Sequence, residues 1–343
     1  MIEAPLILII AIIIVALIFD FTNGFHDSAN SISTVVSTKV LSPRNAVIFA
    51  ACFNFLAAFG FGVAVADTIS NIVELNVVAT TIIPYIVLGA LTGAISWNLI
   101  TWYFGLPTSS SHALIGGLTG AGISAAGIAA IKWSTVGKVA LFMVLSPLIG
   151  LVCGFLFMAA LLWITRSANR TTAEGYFKRL QLCSAAAYSF SHGTNDAQKT
   201  MGIILPLLFS IGYFGTNAAS GSLPVPFWLI ILCYTTIALG TLAGGWRIVK
   251  TMGYKITKLR PVHGFAAETA GAATILGASA AGIPVSTTHV ICSSIMGVGT
   301  TMGSSTVKWG MARSIMIAWI LTIPVSAVIG YAAFAAIWVF VGA

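Results

Sequence analysis

Charge is what this chain has least of. Only 7% of its 343 residues are Asp, Glu, Lys or Arg, where a soluble globular domain carries roughly 25%. So few charges cannot cover a water-facing surface, which excludes soluble enzymes, nucleic-acid binders and disordered scaffolds. The net charge of +8 therefore points to Lys and Arg held in cytoplasmic loops, and no nucleic-acid partner is expected. Cysteine is sparse too. Cys52, Cys153, Cys183, Cys233 and Cys292 stand singly in apolar runs without a CxxC, so they read as buried small hydrophobes and not as a disulfide or metal framework. The chain has no GxxxxGK[ST], HExxH, GxSG-like elbow or GxGD, so it carries no ATP-binding motif, no catalytic residue is assigned, and it is read as no enzyme.

What fills the chain instead is apolar runs of about the length that crosses a bilayer, separated by short gaps. The longest polar stretch, 166–181, is too short for a soluble domain. An open sheet edge is not viable in lipid, so the expected fold is an all-α polytopic membrane protein of roughly ten segments. Met1-Ile2-Glu3 offers no basic leader region, and the run that follows is read as the first membrane helix. Pro147 and Pro324 lie inside long apolar runs and are expected to kink them. Gly116/Gly120, Gly240/Gly244 and Gly299/Gly303 have the small-xxx-small spacing of close helix packing.

The sequence repeats itself. FTNGFHDSANSI (21–32) aligns with FSHGTNDAQKTM (190–201) at an offset of 169, and GLPTSSSHALIGGLTGAG (105–122) with GIPVSTTHVICSSIMGVG (282–299) at an offset of 177. Lys132-Trp133 and Pro147 recur as Lys308-Trp309 and Pro324 at nearly the same offset. The chain thus divides into a first transmembrane repeat, 1–165, a charged cytoplasmic linker, 166–181, and a second repeat, 182–343. Equivalent loops carry opposite charge: 67–80 holds Asp67 and Glu74 and no base, whereas 247–263 holds five bases and no acid. Lys39 and Arg44 likewise correspond to the uncharged 214–225. Opposite bias places equivalent loops on opposite sides of the membrane, so the second repeat is expected to be inverted, with both termini outside. The protein would then be a multi-pass protein of a bacterial inner membrane or plasma membrane.

Ionisable groups at membrane depth cost ~2.5 kcal/mol or more each and are functional candidates by default. Here they cluster in the repeats as Asp20, His26 and Asp27, His112, then His192, Asp196 and Lys199, then His289, with Glu268 nearby. Gly24 and Gly193 open polar stretches inside apolar runs, GFHDSAN and GTNDAQK, and each is read as an unwound point of a broken helix. PTSSSH (107–112) and PVSTTH (284–289) carry proline followed by hydroxyls, a helix-start pattern. Such a start presents unpaired N–H groups and partial positive charge to an oxyanion, and two starts from inverted halves converge near the midplane. His112 and His289 are open to three roles, as ligands, proton carriers or donors that orient the hydroxyls, and the last is preferred.

Together the four motifs GFHDSAN, GTNDAQK, PTSSSH and PVSTTH resemble the inorganic phosphate transporter (PiT) family, in the form of the low-affinity bacterial phosphate permeases (Pit). The resemblance spans both halves. It implies a dimeric inverted-repeat secondary transporter, a homodimer that moves inorganic phosphate with a cation across the lipid bilayer. It implies a phosphate site of Asp27, Asn30, Ser109, Ser110, Ser111, Asp196, Ser286, Thr287 and Thr288. Asp27, Asp196, Lys199 and His26 are the candidates for coupling or charge compensation. Asp20, His112, Asn195, Gln198, Glu268 and His289 are expected to support them. No cofactor is expected, and no resident metal site is assigned. A cytoplasmic accessory protein is admitted as a partner.

One departure matters. Lys199 stands where the first copy has Asn30, whereas sodium-coupled members commonly have an Asn-type residue in both. An ammonium there can occupy a bound cation's place, so H+ coupling is favoured over Na+. The Lys-bearing form resembles the members linked to neutral metal–phosphate complexes, so a divalent metal is a candidate companion of phosphate. The competing readings are a related sulfate permease, a passive channel and a Ser-His intramembrane enzyme.

Overall fold

The computed structural model describes residues 6–60, 62–215 and 223–341. The first half comprises α1 (Leu6–Ser37), α2 (Pro43–Leu56), α3 (Ala64–Ser70), α4 (Ile83–Phe104), α5 (Ser110–Ala126) and α6 (Trp133–Ile164). The second comprises α7 (Arg170–Ser210), α8 (Phe227–Ala243), α9 (Trp246–Lys255), α10 (Pro261–Ala280), α11 (Thr287–Thr300) and α12 (Trp309–Val341). Among the described residues there is no strand, only an isolated antiparallel bridge between Val73 and Ile131. The polar stretch at 166–181 is not a free loop, since from Arg170 onward it is the start of α7.

Among the described residues four helices, α1, α4, α6 and α12, are individually long and apolar enough to cross a membrane. Two bent pairs, α2 with α3 and α8 with α9, bring the number to six. Helix length and composition thus account for up to six of the roughly ten segments expected from the apolar runs. The PTSSSH-type segments open helices of only 17 and 14 residues, about 26 and 21 Å long at ~1.5 Å per residue, short of the ~30 Å hydrocarbon core. The charge-poor loop at 214–225 and both chain ends fall largely or wholly outside the described residues.

Helix packing follows one rule in both halves. α5 packs on α12 and α11 on α6, while α1 packs on α8 and α9, and α7 on α2 and α3. Exchanging the halves maps each of these contacts onto another. Small residues make the approach close: a Cβ on Gly120 would lie 1.9 Å from the Ala327 carbonyl oxygen, and one on its repeat partner Gly297 would lie 2.0 Å from that of Leu151. The spacing at Gly116/Gly120 thus serves α5–α12 packing, whereas Gly244 and Gly303 lie at or beyond helix ends with positive φ. The outward faces of α6 and α12 carry exposed Leu141, Val144, Ile320 and Val328, as lipid-facing surfaces should.

Two expectations are corrected. Cys52, Cys153 and Cys183 are exposed, and only Cys233 and Cys292 are buried; all five are unpaired. Nor is either Gly-x-x-Asp motif unwound: α1 and α7 run as uninterrupted helices through Gly24 and Gly193. These glycines are points of helix contact instead. A Cβ on Gly24 would lie 2.2 Å from the Ile237 carbonyl oxygen, and one on Gly193 2.6 Å from that of Asn54. Besides the bends within α2–α3 and α8–α9, the backbone breaks between α4 and α5 and between α10 and α11.

Candidate functional site

At those breaks the two halves build the same turn. α4 ends at Gly105 and α10 just before Gly282, both with φ of +66°, a left-handed conformation that suits glycine. An extended stretch follows, and Ser109 and Ser286 cap the next helices, accepting the backbone N–H of His112 at 3.2 Å and of His289 at 3.1 Å. Each turn is tied across the fold: Thr251 donates to the Gly105 carbonyl at 2.9 Å and Thr68 to that of Gly282 at 2.6 Å. The first turns of α5 and α11 thereby point inward with backbone N–H groups that have no partner within their own helix.

α1 and α7 supply the charges that face these ends. Ser110 donates to Asp27 Oδ2 at 3.1 Å and to Asn23, and Thr288 donates to Asp27 Oδ1 at 3.4 Å. Asn30 Nδ2 donates to Thr288 at 2.9 Å and Thr287 at 3.3 Å. His26 Nδ1 lies 2.6 Å from Asp27 Oδ1, and its Nε2 lies 3.4 Å from the hydroxyls of both Thr101 and Thr108. On the other side Lys199 Nζ donates to Asp196 Oδ1 at 2.6 Å. Lys199 and Ser111 both donate to the Val285 carbonyl, at 3.4 and 3.2 Å. Asp27, Asn30, Asp196 and Lys199 are all at most 1% exposed, so the site is closed to solvent in this conformation.

The structure thus gathers Asp27, Asn30, Ser110, Ser111, Thr287, Thr288, Asp196, Lys199 and His26. Ser109 and Ser286 border the group as caps. The supporting residues divide. Asp20 accepts from Thr200 at 2.7 Å, and Asn195 donates to Ser279 at 2.8 Å. Gln198 Oε1 accepts the N–H groups of Val65 and Ala66, which caps α3. Glu268 lies apart, accepting from Gln181 at 3.1 Å and from Ser184, while Gln181 accepts from Thr38 at 2.9 Å.

His112 and His289 are corrected: their rings orient no hydroxyl. The two imidazoles meet edge to face with centroids 4.8 Å apart, and His289 stacks on Trp319 at 3.8 Å. Only their backbone N–H groups reach the serines.

Asn23 received no role from the sequence and His192 only a place among the ionisable candidates; the two occupy equivalent positions in the two repeats. His192 Nε2 lies 3.5 Å from Asp196 Oδ2. Ligand atoms of Asp27, His192 and Asp196 all lie within 4.8 Å of one another, close enough to share one cation. His192 stands four residues before Asp196, the spacing of one helix face, and that was the available signal. Two carboxylates face one ammonium in this centre, with the imidazoles of His26 and His192 beside them.

Residues 23–330 match the phosphate transporter family. The chain is 51% identical over 323 residues to the "Probable low-affinity inorganic phosphate transporter" of Rhizobium meliloti, with 94% of each chain covered. It is 47% identical over 330 residues to the protein of the same name from Bacillus subtilis, covering 96% of this chain and 97% of that one. A solved structure described as the sodium-dependent phosphate transporter superposes with a TM-score of 0.87 at 28% identity, over 97% of this chain and 99% of that one.

Proposed function

The chain belongs to the phosphate transporter family, a multi-pass membrane transporter of inorganic phosphate and not an enzyme, and on that premise we propose that it couples phosphate to protons. The observation that carries the reading is the environment of Asp196. One carboxylate oxygen already holds a fixed monovalent cation, the Lys199 ammonium at 2.6 Å. The other faces His192 at 3.5 Å with no hydrogen-bond partner. A built-in ammonium takes the place of one bound metal cation, and a proton is the charge that remains to be carried. Phosphate is placed between the first turns of α5 and α11, on Ser110, Ser111, Thr287 and Thr288. If so, uptake into membrane vesicles persists when sodium is replaced by choline and collapses on adding a protonophore. Uptake that stops without sodium and ignores the protonophore would refute it.

A second reading rests on the Asp27, His192 and Asp196 cluster, whose atoms within 4.8 Å of one another suit a divalent metal travelling with phosphate as cargo. Phosphate uptake that rises with magnesium, with matching entry of the metal, favours it. The likeness to a sodium-dependent transporter keeps sodium as the alternative to protons.

Removal of a single hydroxyl tests the phosphate position. Ser110→Ala or Thr287→Ala should weaken apparent phosphate affinity by about one to two decades, with less effect on maximal rate. Loss of a hydrogen bond to a charged group typically costs ~1.5–3 kcal/mol. Initial uptake rates across a phosphate series measure this directly.

The same proposal includes inverted halves and a homodimer. The half-exchanging packing and the opposite charges of 67–80 and 247–263 support the inversion. Cysteines introduced at Glu74 and at Lys255 should then react with an impermeant thiol reagent from opposite sides, Lys255 from the cytoplasm. Labelling of both from one side contradicts it.

A further inference from the structure

Asn54 and Thr241 lie outside the phosphate cradle, on α2 and α8, and both are fully buried. Thr241 donates its hydroxyl to the Ile237 carbonyl at 2.9 Å, leaving its oxygen to accept. Asn54 Nδ2 donates to that oxygen at 2.8 Å. The amide is thereby oriented with Oδ1 turned toward His192, whose Nδ1 lies 3.2 Å away. An amide oxygen can only accept, so Nδ1 must carry the proton. In a neutral imidazole the lone pair then sits on Nε2, and Nε2 is the atom that faces Asp196 Oδ2. Both atoms are buried without a hydrogen-bond partner. Two acceptors aimed at each other across 3.5 Å repel unless a positive charge enters between them.

We infer that Asn54 and Thr241 are positioning residues: they hold His192 as its Nδ1–H tautomer, so that the Nε2 lone pair and Asp196 together bind the cation that accompanies phosphate. The chain Ile237 carbonyl, Thr241, Asn54, His192 runs from the backbone of one half through the other half and back to the site. It fixes an orientation that His192 could not hold alone, much as second-shell groups fix metal-bound imidazoles. The inference extends the proposed coupling and does not depend on whether the cation is a proton or a metal.

The test is 15N NMR of the full chain, labelled at histidine and reconstituted in lipid, with the His192 signals identified by their loss in His192→Gln. Expected in the wild type at alkaline pH and without added metal is a protonated Nδ1 and an unprotonated Nε2. In Asn54→Leu and in the near-isosteric Thr241→Val this preference should weaken to a mixture of tautomers, while Asn54→Asp, which keeps an acceptor toward Nδ1, should retain it. Uptake should follow the spectra: Asn54→Leu raises the cation concentration needed for half-maximal uptake about tenfold and leaves phosphate affinity at saturating cation unchanged, and Asn54→Asp restores the wild-type value. A wild-type His192 protonated on Nε2 but not on Nδ1 overturns the inference even if every variant misfolds. So does a tautomer unchanged in folded Thr241→Val or Asn54→Leu. Failure of the coupling proposal would appear only in the uptake measurements and would leave the spectra as expected.

Discussion

Asp27→Asn and Asp196→Asn should each lower phosphate uptake by about a hundredfold or more, equivalent to roughly 2.7 kcal/mol, with the protein still folded. Asp27 accepts from Ser110 and Thr288, which tether α5 and α11 to α1. An amide of the same size keeps one acceptor, so the packing survives. What it loses is the negative charge that draws a cation into a centre where an uncompensated phosphate is unaffordable. At Asp196 the loss is compounded, because the Lys199 ammonium is left buried without its carboxylate. Uptake by purified, reconstituted variants decides the matter, with size-exclusion profiles as the check on folding. Wild-type rates in both would remove the two carboxylates from the mechanism.

Lys199→Asn should cut sodium-free uptake by about tenfold or more and create a sodium response that the wild type lacks. Lys199 is wholly buried and holds Asp196 Oδ1 at 2.6 Å. Asparagine, the residue of the equivalent position in the first half, removes the ammonium and leaves Asp196 needing a partner. Breaking a buried ion pair from one side typically costs about 3–5 kcal/mol, so the empty position attracts any small cation that fits. Sodium titration of uptake in wild type and variant measures the effect. A variant as active as the wild type without sodium would show that Lys199 does not compensate the site.

The parts of this structure legible in the sequence are those with local causes. Proline followed by hydroxyls marks a helix start whatever lies around it, and Ser109 and Ser286 do cap α5 and α11. Gly105 and Gly282 stop the preceding helices for an equally local reason. Gly24 and Gly193 show where local reading fails. A glycine beside polar residues looks the same whether it breaks a helix or admits a neighbour, and only the Ile237 and Asn54 carbonyls distinguish the two. Polar residues at membrane depth suggested broken backbone, yet Asp27, Asn30, Asn195 and Gln198 of the two motifs find partners sideways, on segments distant in the sequence. For the same reason the edge-to-face contact of His112 with His289, and the chain from Thr241 through Asn54 to His192, could not be foreseen. Each joins the two halves, and no spacing within one half encodes it.

The central claim, that protons and not sodium drive phosphate, is tested most directly in sodium-free liposomes containing only the purified chain. With the membrane potential clamped, an imposed pH gradient, alkaline inside, should accumulate labelled phosphate above its external concentration, and dissipating that gradient should release it. An inward sodium gradient at equal pH should add nothing. Accumulation driven by sodium alone, with no response to the pH gradient, would contradict the account and place the chain with sodium-coupled carriers.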